Sequence, residues 1–121
     1  MGERILVDTD CLIDYYKGEL ELNPDDSHHI SEITVYEFIR GTKNIKEAKR
    51  ILEESFFIVW LDNEILEKAS EIWRALKASG RLVEDRDLII GATAMVKRLK
   101  LLTRNTKHYD VLKAYGLAFY R

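Results

Sequence analysis

A few acidic positions carry most of the chemical interest in this chain. Asp8 stands directly behind the aliphatic run Ile5-Leu6-Val7, with Thr9 and Asp10 after it; Asp85 and Asp87 precede the apolar stretch Leu88-Ile89-Ile90; Asn105 follows Leu101-Leu102-Thr103. Any one of these is an ordinary cap or turn residue, because Asp and Asn side chains bond readily to nearby backbone. Glu37 is different. It lies between Tyr36 and Phe38, and the positions one turn away hold Ile33 and Gly41, so its surroundings are apolar or small and it is expected to face inward or into a cleft. Carboxylates gathered in one crevice repel, and the usual remedy is a hard divalent cation with oxygen ligands, which points to magnesium or manganese. Zinc fits poorly. His28 and His29 are adjacent and would face opposite sides of a strand, His108 stands alone, and Cys11 is the only thiol. Asp85 and Asp87 are two apart and cannot share a helix face; one is expected to cap the helix while Asp87 enters the site.

The elements that must position these groups alternate. Ile5 to Val7 reads as a strand buried on both faces, and Leu12, Ile13 and Tyr16 mark a two-turn helix closed at Gly18. An extended piece at His28 to Ile30 leads into a helix from Ser31 to Thr42, with Ser31 as N-cap, and a basic helix spans Asn44 to Glu53. Phe56 to Leu61 is a β-prone run; Ile65, Leu66, Ala69, Ile72, Trp73 and Leu76 then repeat at helical spacing up to Gly80. A helix opening at Asp85 or Asp87 carries Leu88, Ile89, Ala92, Met95 and Val96 on its inner face, and Gly91 in its middle is expected to allow close packing on the sheet. Leu101 to Thr103 is a strand, with a last short one near Leu117 to Phe119. This order predicts an α/β three-layer sandwich, a mostly parallel central sheet flanked by helices. Ligands in such sheets bind beyond the carboxyl ends of the strands, where Asp8 and Asn105 fall.

Composition sets the outer bounds. With 121 residues and 46% hydrophobic content, residues 1–121 are expected to form a single domain. The longest uncharged stretch, Leu88 to Val96, is about half of what a membrane span needs, and a lone cysteine suits a reducing compartment, so the cytoplasm is the expected location and no membrane the expected partner. Cys11 itself reads as a small buried hydrophobe. Nineteen basic against 21 acidic residues exclude a strongly cationic nucleic-acid binder, yet the charges are segregated. The segments Arg40 to Arg50 and Lys97 to Lys107 hold five basic residues each, with Glu47 the one acid between them.

Four motifs in order resemble those of PIN domains, and among these the VapC-type toxin ribonucleases of toxin–antitoxin pairs. Ile5-Leu6-Val7-Asp8-Thr9-Asp10 resembles the first, Thr34-Val35-Tyr36-Glu37-Phe38-Ile39-Arg40-Gly41 the second, Asp87-Leu88-Ile89-Ile90-Gly91-Ala92-Thr93-Ala94 the third, and Leu102-Thr103-Arg104-Asn105-Thr106-Lys107-His108-Tyr109 the fourth. The resemblance runs nearly end to end. It implies that Asp8, Glu37 and Asp87 bind Mg2+ (or Mn2+) and are catalytic together with Asn105. Many members have an aspartate at that fourth position; Asp85 is the candidate to supply the missing charge as a further metal ligand. The implied reaction is hydrolysis of RNA phosphodiesters, preferably single-stranded, with Arg40, Lys43, Arg104 and Lys107 holding the backbone and Thr9 and Thr103 placing water or phosphate. A homodimer and a small VapB-like antitoxin are the implied partners. Tyr15, Tyr16, Phe38, Trp60 and Trp73 are expected mostly in the core, with a secondary reading as contact surface.

Three rivals use the same residues. A response-regulator receiver, a phospho-switch of similar length, would need a phosphoacceptor on its middle strand, for which Asp62 is the candidate, and a late lysine before a proline; Pro24 is the only proline. The phosphatases of the haloacid-dehalogenase class share an Asp8-Thr9-Asp10-like motif but usually need more chain. A PIN-like module without catalysis, binding only RNA or protein, is the third.

Overall fold

The computed structural model describes residues 2–121. Its element order is β1 (Arg4–Val7), α1 (Thr9–Tyr16), β2 (Ser27–Ser31), α2 (Glu32–Ile39), α3 (Ile45–Ser55), β3 (Phe57–Val59), α4 (Asn63–Ala78), α5 (Asp85–Lys97), β4 (Lys100–Leu102) and α6 (Thr106–Tyr109), followed by a 3-10 segment at Asp110–Tyr115. The four strands are all parallel in the order β3-β2-β1-β4. Parallel pairing puts every strand's carboxyl end on one side, and the helical crossovers return the chain to the other. β1 lies inside the sheet, in register with His28 and His29 on one flank and with Lys100, Leu101 and Leu102 on the other.

Burial explains the unbroken aliphatic run of β1. Leu6 packs against α4 and α5 with Ile65, Ile72, Ile90, Leu101 and Leu112, whereas Ile5 and Val7 face Cys11, Leu12, Ile30, Val35 and Leu52 on the opposite side. The three aliphatic side chains of β1 are essentially inaccessible, each worth about 1.5–3 kcal/mol of apolar burial. The helix starts follow local side-chain chemistry. Ser31 Oγ accepts from Thr34 N, Asn44 Oδ1 from Glu47 N and Asp62 Oδ1 from Ile65 N, opening α2, α3 and α4.

Several sequence expectations change on contact with the packing. The run Phe56 to Leu61 pairs only over Phe57–Val59, and the expected last strand reduces to one parallel bridge, Leu101 to Phe119. Gly91 packs against the 3-10 segment instead of the sheet: a Cβ there would stand 2.5 Å from Leu112 Cδ1. Neither Asp85 nor Asp87 caps α5; Glu84 occupies that position without a side-chain bond. Tyr15, Tyr16, Trp60 and Trp73 are exposed, and Phe38 is half-buried against the Tyr16 ring at 5.3 Å. Cys11 is buried as expected, and burial together with the neighbouring Asp10 pushes its thiol up to about 12. Among the described residues no helix is long and apolar enough to cross a membrane.

Candidate active site

The carboxyl ends of β1, β2 and β4 carry the site. Asp8 follows β1 at the N-cap of α1, where its Oδ1 accepts from Thr9 N at 2.8 Å. Glu37 projects from the second turn of α2, just after β2. Asp87 enters from the first turn of α5, a helix that runs back towards β4 and so starts on the same side of the sheet. Asp8 and Asp87 are 1% and 5% exposed, and the Glu37 side chain 15%.

One side chain joins all three. Arg86 donates from Nη2 to Asp8 Oδ1 at 2.9 Å, from Nε to Glu37 Oε2 at 2.7 Å and from Nη1 to Asp87 Oδ1 at 2.7 Å. The planar guanidinium, with five donors in a fixed fork, is suited to such bridging. The second oxygens of Asp8 and Glu37 are also engaged. Asp8 Oδ2 accepts from Thr103 Oγ1 at 2.8 Å and from Tyr109 Oη at 2.9 Å, while Glu37 Oε1 accepts from Thr9 Oγ1 at 2.6 Å. Thr9 Oγ1 also lies 3.0 Å from Thr34 Oγ1, which ties Glu37 to the α2 N-cap.

Electrostatics follow from these contacts. Burial alone pushes the Glu37 carboxyl up, but hydrogen bonds from Arg86 and Thr9 and the charges of Arg86 and Arg40 outweigh it and hold the group below its ordinary value. Burial of Arg86 works against its charge, and the bond to Glu37 and the charge of Asp8 more than offset that, so it stays protonated. Burial and the Asp8 charge push the Tyr109 phenol up, which keeps it a donor.

The family model for the PIN domain matches residues 5–113, a span that takes in every one of these side chains. The chain belongs to the PIN domain family. It is 44% identical to Ribonuclease VapC1 of Methanocaldococcus jannaschii over 97% of this chain and 87% of that protein. Among solved structures, it is similar to a toxin–antitoxin complex from Klebsiella pneumoniae (32% identity, TM-score 0.65, 87% of this chain and 89% of that one). It shares its fold with a DNA-bound VapBC from Salmonella typhimurium (21% identity, TM-score 0.78, 98% of this chain and 97% of that one).

In this PIN domain the three carboxylates reach one point, and other expected site residues lie around or away from it. Asn105 is exposed; its Nδ2 donates to Asp10 Oδ2 at 3.2 Å, and its backbone N to Thr103 Oγ1 at 3.1 Å, so it meets the cluster only through Thr103. Asp85 turns away: it is exposed and lines a groove between α4 and α5 with Leu66, Trp73 and Leu88. It is therefore no substitute for a fourth acid. The Thr9 and Thr103 hydroxyls, expected to place water or phosphate, donate to Glu37 at 2.6 Å and to Asp8 at 2.8 Å.

The four basic candidates also sort by position. Lys107 lines an open cavity of about 560 Å3 that reaches Asp87 and also holds Arg81 and His108. Arg40 is exposed and stacks on Tyr36, with its cationic carbon 5.0 Å from the ring centre, close enough to influence Glu37. Arg104 is committed to an ion pair with Asp14, and its backbone N donates to Asp10 at 3.0 Å. Lys43 is exposed in the turn between α2 and α3.

Two groups at the centre had no place in the sequence reading. Arg86 sits between two acids and reads as surface charge; the available signal was that three buried carboxylates need a cation, and Arg86 is the basic residue on the same turn as Asp87. Tyr109 falls in the fourth motif but is spaced too far from Asp8 in sequence for any local rule to pair them.

The donor set fits a hard divalent cation in kind, being oxygen throughout and anionic in excess: three carboxylates face one guanidinium. As they stand, the acids are spread around Arg86, and among the described residues no three acidic, thiol or imidazole side chains form a ready ligand set.

Proposed function

We propose that this PIN domain is a ribonuclease, the toxin of a VapBC-type pair, and that Asp8, Glu37 and Asp87 are its metal-binding carboxylates. The observation that carries the reading is their convergence at one guanidinium from positions 8, 37 and 87, at the carboxyl edge of the sheet. The 44% identity to a VapC1 ribonuclease supports the activity, and the likeness at 32% identity to a toxin–antitoxin complex supports a small VapB-like antitoxin as partner. Held by Asp8, Glu37 and Asp87, Mg2+ or Mn2+ would supply charge neutralisation and would make water a better nucleophile at neutral pH. The chain's own residues do the remaining work. Thr9, Thr103 and Tyr109 fix the orientation of Glu37 and Asp8, so the acids are held before substrate arrives. Lys107 and Arg81, in the cavity beside Asp87, and Arg40 beside Glu37 hold the RNA backbone, which makes binding salt-dependent. An open cavity admits a single strand more easily than a rigid duplex. A homodimer in the cytoplasm completes the reading, in keeping with the exposed Leu66 and Trp73 on α4 and the single buried thiol.

The receiver alternative loses its basis in the topology. Asp62, its candidate phosphoacceptor, follows β3 at the edge of the sheet, caps α4 and pairs with Lys97 at 2.6 Å.

Cleavage of a single-stranded RNA pool, measured with Mn2+, Mg2+ or EDTA, tests the proposal. The expected result is divalent-dependent cleavage reduced at least about a hundredfold by Asp8→Asn, Glu37→Gln or Asp87→Asn and retained by Asp62→Asn. Binding of RNA without cleavage under any divalent ion would leave the module reading and remove the enzyme.

A further inference from the structure

We propose that Arg86 is an internal counter-cation that occupies the metal position of the free protein and must leave it before a divalent ion can load. The inference rests on the reading of Asp8, Glu37 and Asp87 as metal ligands. The three oxygens that face one another across the cluster, Asp8 Oδ1, Glu37 Oε2 and Asp87 Oδ1, are the ones that accept from Arg86. An ion shared by the three carboxylates needs those same oxygens. Guanidinium and metal therefore exclude one another, and the apparent metal affinity is the intrinsic affinity scaled by the fraction of molecules in which Arg86 has swung out.

Three observations make Arg86 displaceable. Its side chain is 30% exposed while Asp8 and Asp87 are almost sealed, so it has a route to solvent that the carboxylates lack. It belongs to the first turn of α5, where the positive end of the helix dipole works against a cation, so the carboxylates supply the charge that holds it in place. One positive charge leaves the trio of acids underneutralised, and a divalent ion in its place neutralises them further. Arg86 also offsets carboxylate charges that would otherwise repel one another, and its Nη1 bonds to Tyr109 Oη at 3.1 Å as well as to Asp87.

Mn2+ binding is the direct test, titrated by calorimetry or by electron paramagnetic resonance of free Mn2+, on the full chain and on Arg86→Ala, Arg86→Gln and Asp87→Asn. The expected result is about 10- to 100-fold tighter binding in both Arg86 variants and loss of binding in Asp87→Asn. Equal or weaker binding in folded Arg86 variants, with the wild type still binding, would overturn the counter-cation while leaving the metal reading intact. No binding to any of the four proteins would overturn both. Should the Arg86 variants fail to fold, the wild type decides: the Arg86 Nε–H resonance, slow to exchange in the metal-free protein, is expected to shift and exchange rapidly on titration with Mg2+. A resonance unchanged at saturating Mg2+ would end the proposal.

Discussion

Tyr109 donates its phenolic proton to Asp8 across a separation of 101 residues, with an O···O distance of 2.9 Å and both side chains buried. The contact joins α6 to the N-cap of α1, just after β1, and leaves Asp8 Oδ2 with two donors, Tyr109 and Thr103. Tyr109→Phe keeps the ring's volume and removes one donor from a buried carboxylate. The expected cost is about 1–3 kcal/mol, read as a lowered urea midpoint with an unchanged m value. Thr103→Ala should cost a similar amount, and the double variant more than the sum, since Asp8 Oδ2 would then have neither donor.

Asn105 marks the place where this chain departs from the more acidic pattern that the sequence resemblance leads one to expect. Its amide and the Arg104 backbone both donate to Asp10 Oδ2, at 3.2 and 3.0 Å. Asn105→Asp would replace a donor by a second carboxylate facing Asp10. The expected outcome is a lower melting temperature at neutral pH in EDTA, and a larger rise in that temperature on adding Mg2+ than the wild type shows. A variant as stable as wild type in EDTA, with no added response to Mg2+, would show that the two side chains do not face one another.

Much of the fold was legible because its signals are local or periodic. The aliphatic run of β1, the Ser31 cap and the apolar stripe of α4 each depend on neighbours within a few residues. The inward aim of Glu37 was legible for the same reason, from Tyr36, Phe38, Ile33 and Gly41 on its own helix. The divergence of Asp85 and Asp87 was legible from their spacing, and Asp87 reaches the site; what the spacing could not show is where Asp85 goes, which is the exposed α4 groove and neither the cap nor the carboxylate cluster. Arg86 lies between them, and its reach to Asp8 and Glu37 is a property of the assembled sheet edge, not of any window of sequence. The bridge at Phe119 was overread for a related reason. Leu117 is buried and Phe119 partly so by packing beside β4, without a run of paired backbone.

Glu37 gives the acid limb of stability. Its folded value is held below the ordinary 4.5, so the unfolded chain binds a proton more readily than the native one. The stabilisation is fully present above about pH 4.5 and is lost as pH falls through the lower folded value. Glu37→Gln, which cannot titrate, should be less stable than wild type at pH 7, with the gap narrowing in acid. Thermal unfolding at pH 7, 5, 4 and 3 checks this, and a gap that stays constant or widens towards pH 3 would contradict the assigned direction.

Gly91 sits mid-helix in α5, where alanine would normally be favoured by about 1 kcal/mol. Here an added Cβ would meet Leu112 Cδ1 at 2.5 Å, and Leu112 is itself fully buried in the cluster beneath α4 and α5. Overpacking of that kind costs about 1–3 kcal/mol, so it outweighs or cancels the propensity gain. Gly91→Ala is therefore expected to be neutral to destabilising by about 2 kcal/mol, against a gain at an uncrowded site. The decisive measurement is the cycle with Leu112→Ala, which alone opens a cavity and costs about 2–5 kcal/mol. The new methyl group fills part of that cavity, so Gly91→Ala should turn stabilising in the Leu112→Ala background. The same sign in both backgrounds would mean that α5 shifts as a body to admit the methyl group and that the contact with the 3-10 segment does not set its position.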